Sequence, residues 1–429
     1  MIKSAFAFLI AALSLAAPAV AQQAVPVIAI PPLSTPKDTP TDAGGTLSIA
    51  WQATQLIGSD LRTTAEVLAL PPDQKDFYSY PEVTAPNYPK WRAAGVKGLL
   101  TGFVQARPDG RLAVGCYIYD VEKRSELGRI GFVVAANDWR RAAHKCSGLA
   151  YQHMVGAPGV FDTPIAYVAR SGSGPTEVTR VAVMDSDGVN HTYLTPGGTR
   201  VVTPRLSPRA NRVAYVSFAS GQPQVRVADA NGEGDAAVLP SSGTTFSPRF
   251  SPDGNSLLLS AVTAGNTDLH LVGLGGGGAR RLTTSPGIDT AGSFSPDGSQ
   301  ILFESDRSGT QQIYVMNNDG SNQRRVSFGG GAYASPVWSP DGTRIAFVRR
   351  GPEGRRIGTM KIDGSDVRLL TTGPSDEGPA WAASSREILF QRTEGGRTGI
   401  YRVTLAGGDP RKVLVPQDGM DPDWSGVRE

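Results

Sequence analysis

Three times the chain writes the same corner, Ser-Pro-Asp-Gly, at 251–254, 295–298 and 339–342, 44 residues apart. The first apolar residue after the corner recurs at Val213, Leu257, Ile301, Ile345 and Ile388, with separations of 44, 44, 44 and 43. A sixth copy begins at Ile165, and its longer spacing of 48 is absorbed by the loop "RSGSGPTEV". Each copy reads as four short runs of branched and aromatic residues parted by turn residues, as in "SPVWSP", "TRIAFVRR", "RIGTMKI" and "VRLLT". Four strands in about 44 residues is the pattern of a β-propeller blade. No repeat holds a helical period long enough for a solenoid. The content of 51 Gly and 32 Pro fits a chain of many turns.

A second pattern predicts how the ring shuts. The phrase that opens the innermost strand appears as "PRLSP", "PRFSP", "GSFSP", "PVWSP" and "PAWAA", but it is missing before Ile165. It turns up instead as "DPDWSG", with Trp424 placed 43 residues after Trp381. The C-terminal strand is therefore expected to complete blade one and leave no open edge.

The corner itself needs no chemistry. Ser supplies a capping oxygen, Pro a fixed φ and Gly a position without Cβ, which suits a type I turn. Asp253, Asp297 and Asp341 sit on separate blades and read as turn residues rather than acids or metal ligands. "GLGGGGARR" lacks the Lys-Ser/Thr of a phosphate loop and falls where other blades place a hairpin turn. Arg280-Arg281, Arg324-Arg325 and Arg411-Lys412 open the outermost strands, where charge blocks pairing with other chains. A net charge of +3 over 429 residues gives no case for nucleic acid.

Residues 1–21 carry one Lys, an Ala-rich apolar run and Ala19-Val20-Ala21, the pattern of a secretory signal peptide, so the mature chain begins at Gln22. No later stretch is apolar enough for a bilayer, and direct membrane insertion is not expected. Residues 22–160 lack the repeat and read as a small α/β domain, with 161–429 as the propeller. In this first part, "VPVIAI" and "EVLAL" read as strands. "TLSIAWQATQLIGSDLRTT" reads as a helix with Leu47, Trp51, Leu56 and Leu61 on one face. A hairpin turns at Pro108-Asp109-Gly110, and a helix capped by Asn137 or Asp138 ends at Gly156. Cys116 is in phase with Leu112, Val114 and Ile118, and Cys146 shares a face with Trp139, Ala142 and Ala150. They form either one disulfide or two buried thiols. His144, His153, His191 and His270 show no metal-ligand spacing and read as structural or surface residues.

A signal peptide, a small α/β domain and six blades closed by "DPDWSG" together resemble the TolB family of the periplasmic Tol-Pal system. The resemblance runs along nearly the whole mature chain, and "GFVQARPDGRLAVGCYIYDVEKRSELGRIGF" and "TPIAYVAR" also carry it. It implies a non-enzymatic, monomeric periplasmic protein without cofactor, metal or catalytic residues, serving outer-membrane integrity and cell division. The lipoprotein Pal would dock on one propeller face and TolA at the mature N-terminus. The family's Pal loops map onto Thr244, Ser247, Asp289, Thr290, Ala291, Tyr333 and Asp376, with Asp289, Tyr333 and Asp376 read as loop tips. Thr290 keeps the expected side-chain type, whereas Ala291 stands where the family has an acid. The TolA segment maps onto Gln22, Gln23, Ala24 and Val25, shorter than the family's usual extension.

Two enzyme classes compete with this reading. A propeller-gated serine peptidase needs a G-x-S-x-G elbow, which does not occur. An exported lyase, lactonase or sugar-processing propeller would gather acids or histidines at the channel mouth, and no His falls in an inner-strand loop.

Overall fold

The computed structural model describes residues 25–64, 66–73, 83–209, 211–239, 243–276 and 278–426. The expected signal peptide, 1–21, lies outside the described residues. Among the described residues, no helix is long and apolar enough to cross a membrane.

Blade one is built from Pro164–Ser171, Val178–Asp185, Thr192–Tyr193 and, innermost, Asp418–Trp424. The other five blades each run outward through four consecutive strands, starting at Val201, Thr245, Asp289, Ala332 and Asp376. The ring has six blades, and its closing strand is the one the displaced "DPDWSG" phrase predicts. Trp424 registers against Ile165 in an antiparallel pair, and its indole Nε1 donates to Thr163 Oγ1 at 2.7 Å.

The second strand of each blade explains why runs such as "IAFV" are continuous rather than alternating. A blade is covered on both faces, so both side-chain parities are buried. Ile345 and Phe347 pack with Leu302, Ile313 and Val315 of blade four, while Ala346 and Val348 pack with Ile388 and Phe390 of blade six. Leu257 and Leu259 likewise face blade two, and Leu258 faces Ile301 and Phe303 of blade four. Each such side chain contributes roughly 1.5–3 kcal/mol through burial. Stacking on both neighbours therefore fixes the diameter of the ring.

The Ser-Pro-Asp-Gly corners fold as the sequence predicts. In blade five, Gly342 N donates to Ser339 O at 2.9 Å, and Asp341 Oδ1 accepts from Ser339 Oγ at 2.6 Å and Thr343 N at 3.0 Å. Gly254, Gly298 and Gly342 have φ of 72°, 71° and 73°, a left-handed conformation that a side chain would strain. Blade six puts Ser385 there at φ 57°, and its Oγ accepts from Asp341 N at 3.0 Å, tying two corners together.

The α/β part has a five-stranded sheet, ordered Leu68–Ala69, Val27–Ala29, Gly98–Ala106, Leu112–Asp120, Ser125–Val134. The first three strands pair in parallel and the rest antiparallel. Helices α1 (Thr46–Thr63) and α3 (Trp139–Val155) pack together on this sheet, and a short α2 (Tyr88–Ala93) precedes the third strand in chain order. Helix α3 ends at left-handed Gly156, as expected. The inward face of helix α1 overlaps the expected one only in part: Leu61 is buried, and Trp51 and Leu56 are half-buried. Leu47 is exposed, and Ile49, Ala50, Ala53, Ile57 and Leu61 are buried. The small Ala142, Ala143, Cys146 and Ala150 of α3 lie in the same core, so close helix approach selects small residues over large ones. Of the two states left open for the cysteines, the structure has the bonded one: a Cys116–Cys146 disulfide ties the sheet to α3.

Candidate docking face and channel

The ring has two unlike faces. On one, the corners turn the chain from innermost to second strand. On the other, which we call the entry face, each innermost strand begins. The α/β domain sits against the corner side of blades one and six. Arg386 pairs with Glu66, Arg411 Nη1 donates to Thr63 O at 2.5 Å, and Arg140 Nη2 lies 2.5 Å from Asp187 Oδ2. A cavity of about 300 Å³ lies along this seam, lined by residues that include Leu56, Asp60, Phe161, Asp187, Arg402 and Trp424.

The entry face is built around a recurring bulge. Every innermost strand breaks register once, at Thr203, Ser247, Ala291, Ser335, Gly378 and Asp421, each with φ between 49° and 62°. In five blades the next residue is Pro: Pro204, Pro248, Pro336, Pro379 and Pro422. Proline has no N–H for the ladder, so a bulge on a strand that borders the channel is where it fits. All six bulged residues line a central channel of about 190 Å³, with Arg205, Arg249, Glu377 and Gln391.

The freed backbone N–H groups find acceptors on the preceding blade. Thr203 N donates to Asp421 Oδ2 at 3.0 Å, Ser335 N to Glu304 Oε2 at 2.7 Å, and Asp421 N to Gln391 Oε1 at 2.7 Å. Polar side chains here thus hold blade to blade. Deeper in, Arg249 Nη1 donates to Asp423 Oδ1 at 2.9 Å, and Arg205 Nε lies 3.8 Å from the same oxygen. Burial, then the neighbouring Arg205 charge, push the Arg249 guanidinium down to about 10, so it stays cationic at neutral pH.

The residues mapped as Pal contacts fall around this mouth, but they are not alike. Thr244 is half-buried, and its hydroxyl lies 3.4 Å from Gln222 Oε1. Ser247 and Ala291 are half-buried at their bulges, and Thr290 is buried against Glu304 Oε1 at 2.7 Å. The reading of Asp289, Tyr333 and Asp376 as loop tips is corrected, because all three are buried at the start of an innermost strand. Asp376 accepts from Arg392 Nε at 2.7 Å and Nη2 at 2.9 Å, and Asp289 accepts from Arg307 Nη2 at 2.7 Å. Tyr333 donates its hydroxyl to Phe328 O at 3.1 Å. Arg170 with Asp418, at 3.2 Å, repeats the same pin in blade one. Each acid opens an innermost strand, and each Arg comes from the end of the second strand or just beyond it. Sequence reasoning missed the pins because the two partners are separated by a corner and a strand in blades four and six, and by nearly the whole ring in blade one. The repeated x-Pro of the inner strands was the signal for the bulges.

Around these pins the surface is arginine-rich and partly apolar. Ile288 and Val262 are exposed, and Arg350, Arg355 and Arg397 are exposed with Glu377 half-buried between the first two. Of the segment mapped for TolA, residues 22–24 lie outside the described residues, and Val25 is exposed.

Comparison with known proteins settles the family. The model for the TolB beta propeller domain matches residues 151–428, and the TolB amino-terminal domain matches 19–127. The chain belongs to the TolB family. It is similar to the Tol-Pal system protein TolB of Rhizorhabdus wittichii, 46% identical over 216 residues, which is 48% of this chain and 49% of that one. The TolB of Zymomonas mobilis is 48% identical over 200 residues, covering 46% and 43%. The chain thus spans about half the length of the curated relatives it matches. A crystal structure of TolB from Acinetobacter baumannii aligns over 94% of this chain and 97% of its own, with a TM-score of 0.78 and 27% identity. The TolB-type pairing of an α/β domain with a six-bladed ring therefore extends along nearly the whole chain.

Proposed function

We propose that this protein is a non-enzymatic periplasmic component of the Tol-Pal system, docking the lipoprotein Pal on the entry face and TolA at its mature N-terminus. In that role it serves outer-membrane integrity and envelope constriction at cell division. The observation that carries the reading is a division of labour between faces: the described contacts of the α/β domain with the ring fall on the corner side, which leaves the entry-face loops for a partner. A rim held by blade packing and ion pins offers a partner loops that need little ordering on contact. Family membership and the names of the relatives support the Tol-Pal assignment.

The Pal site comprises the loops bearing Thr244, Ser247, Asp289, Thr290, Ala291, Tyr333 and Asp376. Buried members set the loop positions, and exposed neighbours such as Ile288 and Arg350 make the contact. The TolA segment is Gln22, Gln23, Ala24 and Val25. Calorimetry of the mature chain with the purified Pal domain is expected to give saturable binding, weakened by Ile288→Asp. Absence of heat at protein concentrations on the order of tens of micromolar would overturn the Pal assignment. Deleting residues 22–25 is expected to abolish binding of the TolA domain while leaving Pal binding intact.

A further inference from the structure

A second cluster lies away from the channel, at the seam between the domains. His144 projects from α3 of the α/β domain and is 1% exposed. Asp185 and Asp187 come from blade one of the propeller, at the end of its third strand outward from the closing strand and in the turn after it. One ligand atom from each of the three lies within 4.8 Å of the others.

The hydrogen bonds around His144 decide what this cluster can hold. Asp60 Oδ2 lies 2.8 Å from His144 Nδ1 and also accepts from Ser147 Oγ at 2.6 Å. A carboxylate held this way takes the Nδ1 hydrogen and leaves the Nε2 lone pair outward, as in the carboxylate–histidine pairs behind metal-bound imidazoles. Nε2 is buried without a hydrogen-bond partner and faces Asp187 Oδ2 at 3.6 Å. In the tautomer that keeps its hydrogen on Nδ1, Nε2 offers that oxygen a lone pair, an arrangement that a shared cation relieves. Zinc ligands at about 2.0–2.1 Å in a tetrahedron stand about 3.4 Å apart, close to this separation.

We propose that His144 Nε2, Asp185 and Asp187 form a zinc site bridging the two domains, with water completing the coordination. A nitrogen ligand beside two carboxylates favours a first-row transition ion over calcium or magnesium, which prefer all-oxygen sets. Asp187 Oδ2 accepts from Arg140 Nη2 at 2.5 Å and Oδ1 from Val189 N at 3.1 Å, while Asp185 Oδ2 accepts from Asn190 Nδ2 at 2.7 Å. A carboxylate oxygen has two lone pairs, so Asp187 Oδ2 can accept from Arg140 and still face an ion. The Asp187 side chain is 22% exposed, which gives an ion its way in.

The test uses the intact, tag-free mature chain after chelator treatment. Calorimetry with Zn²⁺ is expected to show one site per chain, unaffected by excess Ca²⁺ or Mg²⁺, and Co²⁺ is expected to give the visible absorption of a four-coordinate site. His144→Gln, which keeps an amide for Asp60, and Asp187→Asn, on a surface turn, should each weaken zinc by about tenfold or more. Circular dichroism checks that both variants fold, and zinc should raise the melting temperature of the parent alone. Zinc binding that survives Asp187→Asn in a folded chain, or no site tighter than on the order of 100 micromolar, overturns the proposal and assigns the Nε2 to Oδ2 contact to a proton.

Discussion

The two faces of the ring use the same residue, aspartate, in opposite ways. At the corners, Asp253, Asp297 and Asp341 bond to serine hydroxyls and backbone N–H groups within a few residues, in contact with water. At the entry face, Asp289 and Asp376 are 0% exposed and reach an arginine from the neighbouring strand. The corner acid thus shapes a turn that Pro and Gly already favour. The entry acid is one half of a buried ion pair, and its absence would strand the other half. A motif that is plain in the sequence can therefore matter less to stability than a pair that only the fold brings together.

Asp376→Ala gives the largest expected effect. Breaking a fully buried pair by removing one partner costs about 3–5 kcal/mol, and because the Arg392 side chain is 14% exposed the loss is expected at or below the lower end of that range. The urea midpoint should fall accordingly, and the double variant Asp376→Ala/Arg392→Met should recover much of the loss. A single variant as stable as the parent would refute the pin. Next comes Gly378→Ala, at the bulge of blade six. A Cβ there would meet only Pro422 Cδ, at 3.9 Å, so space is not the obstacle. Its φ of 62° is, and the expected cost is about 1 kcal/mol in the same urea titration. Asp341→Ala should cost no more than about 1 kcal/mol, the net worth of a partly exposed hydrogen bond. If it equals Asp376→Ala, the contrast between the faces fails.

What was legible follows the same division. Period, strand number and the closing strand could be read because each rests on neighbours in sequence or on a phrase displaced by a whole turn of the ring, as Trp424 is. The bulges at Thr203 to Asp421 left a trace in x-Pro, but the left-handed φ also falls at Ala291, which Gly292 follows. Asp289 and Asp376 could not be placed correctly, since nothing local shows that Arg307 and Arg392 cover them. The buried face of α1 was hidden for a related reason. Which side turns inward depends on the small residues of α3, about 90 residues away. His144 carried no signal at all, because Asp185 and Asp187 approach it from another domain.

Acid titration probes the corners without removing a residue. The Ser295 hydroxyl, then Ser299, hold the Asp297 carboxyl down to about 2, and the Ser251 hydroxyl lowers Asp253 in the same way. A carboxyl depressed in the folded state binds its proton more readily when unfolded, so stability rises with pH between the two values. The corner contribution is complete above about 4, the ordinary aspartate range, and is lost as the pH falls toward 2. Ser295→Ala removes the main cause for Asp297. Its melting temperature should lie below the parent's at pH 5, and the gap should narrow as the pH drops toward 2.5. A gap that is constant across this range would mean that Ser295 stabilises the turn through packing or its bond to the Gln300 backbone N–H, at 2.9 Å, rather than through the Asp297 charge.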